Sequence, residues 1–464
     1  MKYILNKDYR LRGWTDHLSC VEHYPTRELR DISSREYGLL SRCDGKTDVD
    51  TVRYGEAIGK FTKLGVISQT EGAQLDPVQA FRFYENRLFR NADICVTGCC
   101  DFRCRHCFNA SDNEYSRGTQ PTAEKLIELI AKLESCGICN ITLSGGEPLL
   151  HKDFLGITEE LRKRDMHFQR LVTNLYHMTP EIADTLISQG HRPLISTSFD
   201  GLGAHEWLRQ KEGSEKRTLD MISMMKQKGF RVRAHCCAWK DSLPVIRDSV
   251  LRLKELGVDE FRIVNIEPSL RWRQNAGDQA VSITEWLEFI CGLIDWWYEN
   301  KIDMSLDVWW FWQWTAGSKY VNIVPDGHCH YDIENKIPIC ADGYNTPYID
   351  SDGRLLLCNA TSGYSKAMGW EWGNAFTDDL QSLLREGQFI KFCSRTVRQM
   401  KELHPECMNC EWVKHCQFGC RAEAVAYGGD FSSPDIRMCA FFKDGYYKRF
   451  KKIADKYGLM YDGK

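Results

Sequence analysis

Short apolar runs alternate with amphipathic stretches between about residues 91 and 300. Leu126, Leu129 and Leu133 show the helical spacing of the amphipathic stretches. The apolar runs predict six strands, at residues 93–98, 139–146, 167–174, 192–200, 230–239 and 260–268. Because alternating strands and helices favour parallel pairing, we predict an α/β fold with a partial (β/α)6 TIM-like barrel over residues 89–315. Barrels of this kind carry their chemistry at the carboxyl ends of the strands.

The first 88 residues have a different pattern and predict a separate small domain. Polar and apolar positions alternate on both sides of a turn at residues 24–26, which predicts a β-hairpin. Ser33 and Glu36 have capping-box spacing for a helix that runs to Asp44, and residues 51–67 predict a second helix. A hairpin with two helices indicates a winged-helix-like N-terminal domain.

The periodicity fades after the aromatic stretch at residues 306–317, where glycines and closely spaced cysteines become frequent. We expect Trp309, Trp310, Trp312 and Trp314 in this stretch to pack between domains rather than to line a substrate channel. Residues 316–464 predict a loop-rich C-terminal domain that needs bound metal to hold its structure.

Composition excludes several classes of protein. The 464 residues are 43% hydrophobic and 27% charged, which is typical of a globular protein with two or three domains. A net charge of -3 gives no long-range attraction to nucleic acid or to a membrane surface. The start of the chain lacks the apolar core of a secretory signal, and no run is long enough to span a bilayer, so we expect a cytoplasmic protein. In that compartment 21 cysteines indicate metal binding or catalysis rather than disulfides.

Cys100, Cys104 and Cys107 follow the first barrel strand with the spacing C-x3-C-x2-C. Three thiolates from one loop can hold three irons of a 4Fe-4S cluster and leave the fourth iron free for another ligand. The neighbouring Cys95 and Cys99 are predicted to be packing residues, because Cys95 lies within the strand and Cys99 directly precedes a ligand.

The order of motifs after this loop resembles that of the radical S-adenosylmethionine (SAM) enzymes. A Ser-Gly-Gly-Glu-Pro turn ends the second strand, a Thr-Asn pair ends the third, a Ser-x-Asp-Gly turn ends the fourth, and an arginine follows. The resemblance implies that the open iron binds SAM and that these motifs contact it. The implied SAM-binding residues are Gly145, Gly146, Glu147, Pro148, Thr173, Asn174, Ser198, Asp200 and Arg209. His106 stands where many members of the family carry an aromatic residue.

The C-terminal cysteines are similar in spacing to a SPASM domain, which carries two auxiliary 4Fe-4S clusters. The resemblance implies an outer cluster held by Cys407, Cys410, Cys416 and Cys439. It implies an inner cluster held by Cys340, Cys358 and Cys420, with Cys329 as the expected fourth ligand. Cys393 is an alternative fourth ligand, and an open iron that binds a substrate thiolate is another. The chain is thus expected to carry three 4Fe-4S clusters.

The N-terminal segment resembles the recognition element of enzymes that modify ribosomally synthesised precursor peptides (RiPPs). In this interpretation the precursor's leader adds a strand to the hairpin, and a nucleic-acid-binding winged helix is disfavoured because acidic residues are interspersed among the basic ones. The three resemblances together imply a peptide maturase. It would take a hydrogen from the precursor and install a thioether or carbon-carbon cross-link, with electrons from a flavodoxin or ferredoxin.

Other interpretations remain open from the sequence. An anaerobic sulfatase-maturating type of oxidase is one, although Asn359 replaces the aspartate base expected after Cys358. A peptide epimerase of the same superfamily and a non-catalytic, zinc-stabilised peptide-binding protein are the others.

Several polar or reactive residues are expected to have structural roles. Glu267, His235 and His205 lie at or near strand ends, and each is expected to be satisfied within the fold. The cysteines expected in core packing are Cys20, Cys43, Cys136, Cys139, Cys236, Cys237 and Cys291.

Overall fold

The structure is a computed structural model that describes residues 1–26, 28–109, 119–324 and 338–461. The chain divides into two compact units. The N-terminal unit comprises Met1–Phe89, Ser135–Gly137 and Leu380–Arg385, and the main unit comprises the rest. Each unit is described by itself below.

The N-terminal unit contains a three-stranded and a four-stranded sheet, in the orders β5-β1-β6 and β4-β3-β2-β7. Its strands are β1 Lys2–Leu5, β2 Tyr9–Trp14, β3 Cys20–His23, β4 Glu28–Asp31, β5 Asp44–Asp48, β6 Ile67–Gln69 and β7 Arg82–Tyr84. Its helices include α1 Ser34–Leu40, α2 Thr51–Lys63 and the 3-10 helix Pro77–Gln79. Leu39 and Phe61 are fully buried in the core that the helices form with the three-stranded sheet.

The predicted hairpin is confirmed as β3 and β4, which pair antiparallel with Cys20 opposite Asp31. The predicted capping box is also confirmed, because the Glu36 amide donates to Ser33 Oγ at 3.3 Å and the Ser33 amide to Glu36 Oε2 at 2.8 Å. The first helix ends at Leu40 and not at Asp44, since the following segment pairs with β1 as strand β5.

The main unit is built on an eleven-stranded sheet in the order β16-β15-β14-β13-β12-β11-β10-β9-β8-β17-β18. The strands are β8 Asn91–Cys95, β9 Asn140–Ser144, β10 His167–Val172, β11 Leu194–Ser198, β12 Val232–Ala238, β13 Glu260–Asn265, β14 Ser305–Val308, β15 Trp312–Trp314, β16 Val321–Ile323, β17 Tyr348–Ile349 and β18 Leu355–Leu356. All six predicted strands are present as β8 to β13 and pair in parallel, which is consistent with a partial TIM-like barrel.

The structure adds strands that the sequence pattern did not predict. Strand β14 continues the parallel series beside β13, and β17 pairs in parallel with β8 on the other side. Strands β15, β16 and β18 pair antiparallel at the two margins of the sheet. The aromatic stretch that we assigned to a junction therefore forms the β14–β15 turn, and Trp312 is fully buried against Tyr298 and Phe450.

Amphipathic helices connect the parallel strands. They are α3 Ala123–Ser135, α4 Phe154–Lys163, α5 Pro180–Ser188, α6 His205–Arg209, α7 Ser214–Gln227, α8 Ile246–Glu255, α9 Leu270–Asn275 and α10 Ile283–Glu299. Short 3-10 helices lie at Pro148–Leu150 and Lys240–Val245. Helix α3 buries Leu126, Leu129 and Leu133, as the spacing of these residues predicted.

The described part of the C-terminal segment is more helical than the sequence pattern predicted. Its helices are α11 Ala341–Asn345, α12 Ser362–Met368, α13 Leu380–Glu386, α14 Gln388–Cys393, α15 Val397–Leu403, α16 Pro405–Met408, α17 Val413–Cys416, α18 Arg421–Ala426, α19 Ile436–Lys443 and α20 Tyr446–Lys456, with a 3-10 helix at Asn359–Thr361. Most span only four to eight residues, so they present too few turns for a helical period to be visible in the sequence. Across the described residues, no helix is both long enough and apolar enough to cross a bilayer.

Candidate active site

The loop with Cys100, Cys104 and Cys107 leaves the carboxyl end of β8 and is held by backbone hydrogen bonds from distant elements. The Arg105 amide donates to the Leu208 carbonyl at 2.9 Å, and Arg271 Nε donates to the Cys104 carbonyl at 2.9 Å. Cys104 is buried, and the other two cysteines are half-buried. The loop thus has a fixed course that does not depend on its thiols.

The three thiols lie close enough to influence one another electrostatically. Burial raises the pKa of Cys104 to about 11, and the neighbouring Cys107 adds to the rise while the Arg209 cation opposes it. Among the described residues, the Sγ atoms of the three cysteines do not all lie within 4.8 Å of one another. Thiolates on a single tetrahedral zinc ion would be about 4 Å apart. The wider spacing fits thiolates that bind separate irons of a cluster.

The Gly145-Gly146 turn after β9 lies directly against the backbone of the cysteine loop. The Gly146 amide donates to the Thr97 carbonyl at 2.6 Å, and the Glu147 amide donates to the Cys99 carbonyl at 2.8 Å. A Cβ atom at Gly145 would lie 2.6 Å from the Thr97 carbonyl oxygen, and one at Gly146 would lie 2.4 Å from that of Cys99. Only glycine permits this approach, so both glycines are required by the packing of the turn.

The Glu147 carboxylate connects the second strand end to the third. It accepts from Thr173 Oγ1 at 2.7 Å and from the Asn174 amide at 2.8 Å. It also accepts from the Leu149 amide at 3.1 Å, at the start of the 3-10 helix that Pro148 begins. Burial raises the pKa of this carboxyl group to about 7, although its three hydrogen-bond donors oppose the rise. Its side chain is therefore used in holding strand ends together.

Asp200 and Arg209 form a buried ion pair at the fourth strand end. Arg209 Nε and Nη2 donate to the two oxygens of Asp200 at 2.6 and 2.8 Å, and Arg209 Nη1 lies 3.9 Å from Cys104 Sγ. Asp200 also accepts from the Cys237 amide at 3.0 Å. The arginine cation holds the pKa of Asp200 well below its usual range despite full burial of the carboxylate. Ser198, at the end of the same strand, is half-buried.

The histidines near these strand ends are neutral or already bonded. His205 Nδ1 lies 3.0 Å from Asp200 Oδ2, so this residue has the structural partner that was expected. Burial, together with the nearby Arg209 cation, lowers the pKa of His106 to about 3. Within the described residues, His106 Nδ1 and His235 Nε2 are buried without a hydrogen-bond partner.

Glu267 follows β13 and differs from the expectation of a satisfied structural role. Its side chain is buried, and Oε2 has no hydrogen-bond partner among the described residues. Burial and the nearby Glu423 carboxylate raise the pKa of Glu267 well above its ordinary value. The group therefore stays protonated at neutral pH and presents a neutral carboxyl at a strand end.

Sequence reasoning missed residues that support the site. Asn109 Nδ2 donates to the Gly145 carbonyl at 3.1 Å, and Arg271 anchors the cysteine loop from helix α9. Lys211 Nζ lies 2.7 Å from Asp101 Oδ2 and holds the start of the same loop. None of these contacts has a local sequence signature, because each joins residues that are far apart in the chain.

The four outer cysteines of the C-terminal segment come together in the fold. Cys407 lies in α16, Cys416 ends α17 and Cys439 lies in α19, while Cys410 lies between the first two helices. Burial raises the pKa of Cys416 to about 12, and the sulfurs of Cys439, Cys410 and Cys407 contribute to the rise. Four half-buried thiols that raise one another's pKa values require a compensating cation to be thiolates at neutral pH.

The inner cysteines are arranged around a glycine and a buried ion-pair network. A Cβ atom at Gly343 would lie 3.1 Å from Cys393 Sγ and 3.4 Å from Cys340 Sγ, so both sulfurs approach the same point. The Cys420 amide donates to Asp435 Oδ2 at 3.1 Å, and Cys358 immediately precedes the 3-10 helix Asn359–Thr361. Cys329, the expected fourth ligand, lies outside the described residues.

The remaining cysteines follow the packing prediction in most cases. Cys95 is 1% exposed and packs against Tyr348 and Leu356, and Cys99 is half-buried. Cys43, Cys136, Cys236, Cys237 and Cys291 are buried, whereas Cys139 is half-buried. Cys20 is buried but has polar side-chain neighbours, which are described below.

Comparison with known proteins gives relatives over most of the chain. An AdoMet-dependent heme synthase of Methanosarcina barkeri is 26% identical over 349 residues, which cover 72% of this chain and 92% of that protein. The radical SAM cyclopropyl synthase TigE of Paramaledivibacter caminithermalis is 21% identical over 430 residues, or 85% of this chain and 82% of TigE.

Solved structures and a family model agree with these relatives. The structure of Streptococcus suis SuiB bound to its precursor peptide SuiA aligns with a TM-score of 0.66 at 13% identity, and covers 94% of this chain and 99% of SuiB. The model of the Radical SAM superfamily matches residues 94–241, the segment that contains the cysteine loop, the Gly-Gly-Glu-Pro turn and the Asp200–Arg209 pair. Residues 94–241 of this chain therefore form a radical SAM domain.

Proposed function

We propose that this chain is a radical SAM maturase that modifies a ribosomally synthesised precursor peptide and installs a thioether or carbon-carbon cross-link. The observation that carries the proposal is the contact between the Gly145-Gly146 turn and the cysteine loop. This contact brings three thiols and four strand ends to one edge of the sheet. The likeness in fold to SuiB supports a peptide substrate, because it covers 94% of the chain and so includes most of the N-terminal unit.

A radical SAM domain uses SAM and a 4Fe-4S cluster, and Cys100, Cys104 and Cys107 are the residues that would hold this cluster. When bound, the cluster supplies an electron that cleaves SAM and yields a radical able to take a hydrogen from carbon. The chain's own contribution is to fix the loop through Arg271 and Leu208, so that the three thiols keep one arrangement.

The SAM-binding residues divide by how much bonding capacity the fold leaves them. Glu147 and Asp200 already accept hydrogen bonds from protein groups, so we assign them the role of positioning the turns around SAM. Direct contacts are assigned to the backbone of Gly145 and Gly146, to Ser198, and to the Arg209 guanidinium. Pro148, Thr173 and Asn174 hold the shape of the second and third turns.

The proposed domains are a leader-binding domain at residues 1–88, a radical SAM barrel at 89–315 and a SPASM domain at 316–464. Strand β4 pairs only with β3 and forms one edge of its sheet, so its outer side is available to a further strand. A leader peptide would add to this edge through main-chain hydrogen bonds. No nucleic acid or membrane partner is proposed.

Two auxiliary clusters are proposed in the C-terminal segment. Cys407, Cys410, Cys416 and Cys439 would hold the outer cluster, and Cys340, Cys358 and Cys420 would hold three irons of the inner one. The fourth inner ligand is Cys329 or Cys393, of which Cys393 has its sulfur beside that of Cys340. These clusters would accept the electron left on the peptide after hydrogen removal, and a cytoplasmic flavodoxin or ferredoxin would supply the first electron.

Neither alternative activity has support of equal weight. A sulfatase-maturating oxidase needs a base after Cys358, and the neutral amide of Asn359 cannot accept a proton there. A zinc-stabilised binding protein does not fit the separation of the three loop sulfurs.

The test is turnover by full-length protein reconstituted with iron and sulfide under anaerobic conditions. It would receive SAM, dithionite and the short precursor encoded beside this gene. We expect 5'-deoxyadenosine and a peptide that has lost two hydrogens, detected by mass spectrometry. Cys100→Ala should abolish both products, whereas the matched variant Cys99→Ala should retain them. Deoxyadenosine formation by Cys100→Ala, or an unmodified peptide in every precursor assay, would contradict the proposal.

A further inference from the structure

Three side chains with metal-binding donor atoms meet at the base of the N-terminal hairpin. Cys20 begins β3 and Asp31 ends β4, and the two are direct partners across the antiparallel pair. Their side chains therefore lie on the same face of the sheet. His17 precedes β3 in a tight turn whose backbone is fixed by hydrogen bonds in both directions with Trp14, at 2.7 and 3.2 Å.

The donor atoms of this triad converge on one point. His17 Nδ1 lies 3.1 Å from Asp31 Oδ1 and 3.3 Å from Oδ2, and Cys20 Sγ lies 3.0 Å from Asp31 Oδ1. All three donor atoms lie within 4.8 Å of one another, and no other set of three such residues in the described part of the chain does so. Zinc bond lengths of about 2.0 to 2.3 Å place tetrahedral ligands roughly 3.3 to 3.8 Å apart. The triad needs only small shifts to reach that geometry.

The surroundings of the triad suit a zinc ion with one further ligand. Cys20 is 0% exposed, while the side chains of His17 and Asp31 are 35% and 68% exposed, so the sulfur is enclosed and the opposite side is open to water. A thiol with an imidazole and a carboxylate selects zinc over calcium or magnesium, which prefer oxygen ligands. Hydrogen bonds from the Cys20 thiol and the His17 ring lower the pKa of Asp31, so this ligand is a carboxylate at neutral pH.

Cys43 shows what a buried cysteine of the same unit looks like without such neighbours. It is 1% exposed, and its thiol donates to the backbone carbonyl of Leu39 at 3.4 Å. Burial raises the pKa of Cys43 to about 12. Cys43 fits the packing role that the sequence predicted for both cysteines, whereas Cys20 has an imidazole and a carboxylate within reach.

We propose that His17, Cys20 and Asp31 bind one zinc ion, with water as the fourth ligand. On binding, the Cys20 thiol loses its proton to solvent, and the His17 ring proton moves from Nδ1 to Nε2 so that Nδ1 can bind the metal. No bond to carbon changes and no electron is transferred. The ion ties the turn before β3 to both strands of the hairpin and fixes the register of β4.

The site also has a consequence for substrate binding, which rests on the proposed function. Strand β4 is the edge to which we assign the leader peptide, and Asp31 is its last residue. A metal that holds Asp31 in place would order this edge before the leader arrives, which lowers the entropic cost of adding a strand.

The test uses full-length protein with its iron-sulfur clusters in place. After equilibration with zinc and removal of the excess, zinc and iron per chain are measured by elemental analysis. We expect His17→Ala, Cys20→Ser and Asp31→Asn each to lose one zinc per chain relative to wild type, with iron unchanged. Cys43→Ser is the matched control and should retain the zinc. Equal zinc in His17→Ala and wild type would overturn the site, and this variant changes only a half-exposed turn residue.

X-ray absorption at the zinc edge gives a second measurement that iron does not disturb. We expect one sulfur and the remainder nitrogen or oxygen in the zinc shell of wild type. A shell of four sulfurs would mean that zinc occupies cluster cysteines, and it would overturn the proposal. Neither measurement depends on SAM cleavage or on a peptide. A negative zinc result therefore leaves the maturase proposal standing, and a failed peptide assay leaves the zinc count intact.

Discussion

The two main groups of cysteines in the main unit are held in different ways. Cys100, Cys104 and Cys107 lie on a loop whose backbone is fixed by Gly146, Leu208 and Arg271, so its course is set without metal. Cys407, Cys410, Cys416 and Cys439 lie on and between short helices that offer few long-range backbone contacts. The first group is a preformed site for a reactive cluster, whereas in the second the cluster itself is expected to supply much of the local stability.

Cys416→Ala should give the largest difference between the two groups. Loss of the outer cluster removes the link between three short helices, and we expect local destabilisation of several kcal/mol across residues 405–443. Hydrogen exchange measured by mass spectrometry should show loss of protection there and unchanged protection in β8 to β13.

Cys100→Ala is the matched comparison, because it also removes one cluster ligand. We expect hydrogen exchange in the cysteine loop and its neighbours to change little. Equal loss of protection around the two mutated sites would contradict the distinction between a preformed site and a metal-dependent one.

Gly146→Ala tests whether close backbone contact fixes the cysteine loop. The new Cβ would meet the Cys99 carbonyl oxygen at 2.4 Å, so the turn and the loop must separate. We expect a loss of about 4 kcal/mol in the free energy of unfolding, and weaker SAM binding in calorimetry. Gly156→Ala is the control, since nothing lies within 4 Å of a Cβ at that position in helix α4. Wild-type SAM affinity in Gly146→Ala would refute the close-contact argument.

The Glu147 carboxyl should make the stability of the main unit depend on pH. Its pKa is raised to about 7 in the folded protein, so the folded state holds this proton more tightly than the unfolded state does. The associated stability is present below the unfolded pKa and is lost as the pH rises through about 7. Relative to wild type, Glu147→Gln should therefore gain on the order of 3 kcal/mol between about pH 4 and pH 8.

Denaturant unfolding at each pH under anaerobic conditions measures this difference. Glu128→Gln, at an exposed position of helix α3, controls for removing one carboxyl group from the protein. A difference between Glu147→Gln and wild type that stays constant with pH would show that the buried carboxyl does not titrate in this range.

The fourth ligand of the inner cluster should have the smallest effect on the fold. If Cys393 is that ligand, Cys393→Ala should change the electron paramagnetic resonance signal of the reduced inner cluster, while Cys329→Ala should leave it unchanged. The reverse result would identify Cys329. Identical spectra for both variants and wild type would indicate an open iron.

Local pattern predicted the elements whose signals are local. The six central strands are short apolar runs, and the helix that begins with Ser33 and Glu36 has its start encoded four residues apart or less. The cysteine loop and the Gly-Gly-Glu-Pro turn were recognisable because their spacing is fixed by cofactor chemistry. Strand β14 was missed since its four residues run directly into an aromatic turn.

Contacts that join distant parts of the chain could not be predicted in this way. The bidentate pairing of Arg209 with Asp200 and the three hydrogen bonds accepted by Glu147 depend on how the strand ends meet. For the same reason, the sequence gave Cys20 the appearance of an ordinary core cysteine. Only the register of the hairpin brings Asp31 beside it.

The pairing of β17 with β8 determines when during synthesis the radical SAM site can be completed. Tyr348 lies opposite Asp93, so the strand that leads into the cysteine loop gains its second neighbour roughly 250 residues later in the chain. A ribosome that has made the barrel alone leaves β8 as an open edge, exposed to pairing with other chains. Cluster delivery to Cys100, Cys104 and Cys107 is therefore expected to follow translation of the C-terminal segment rather than to accompany that of the barrel.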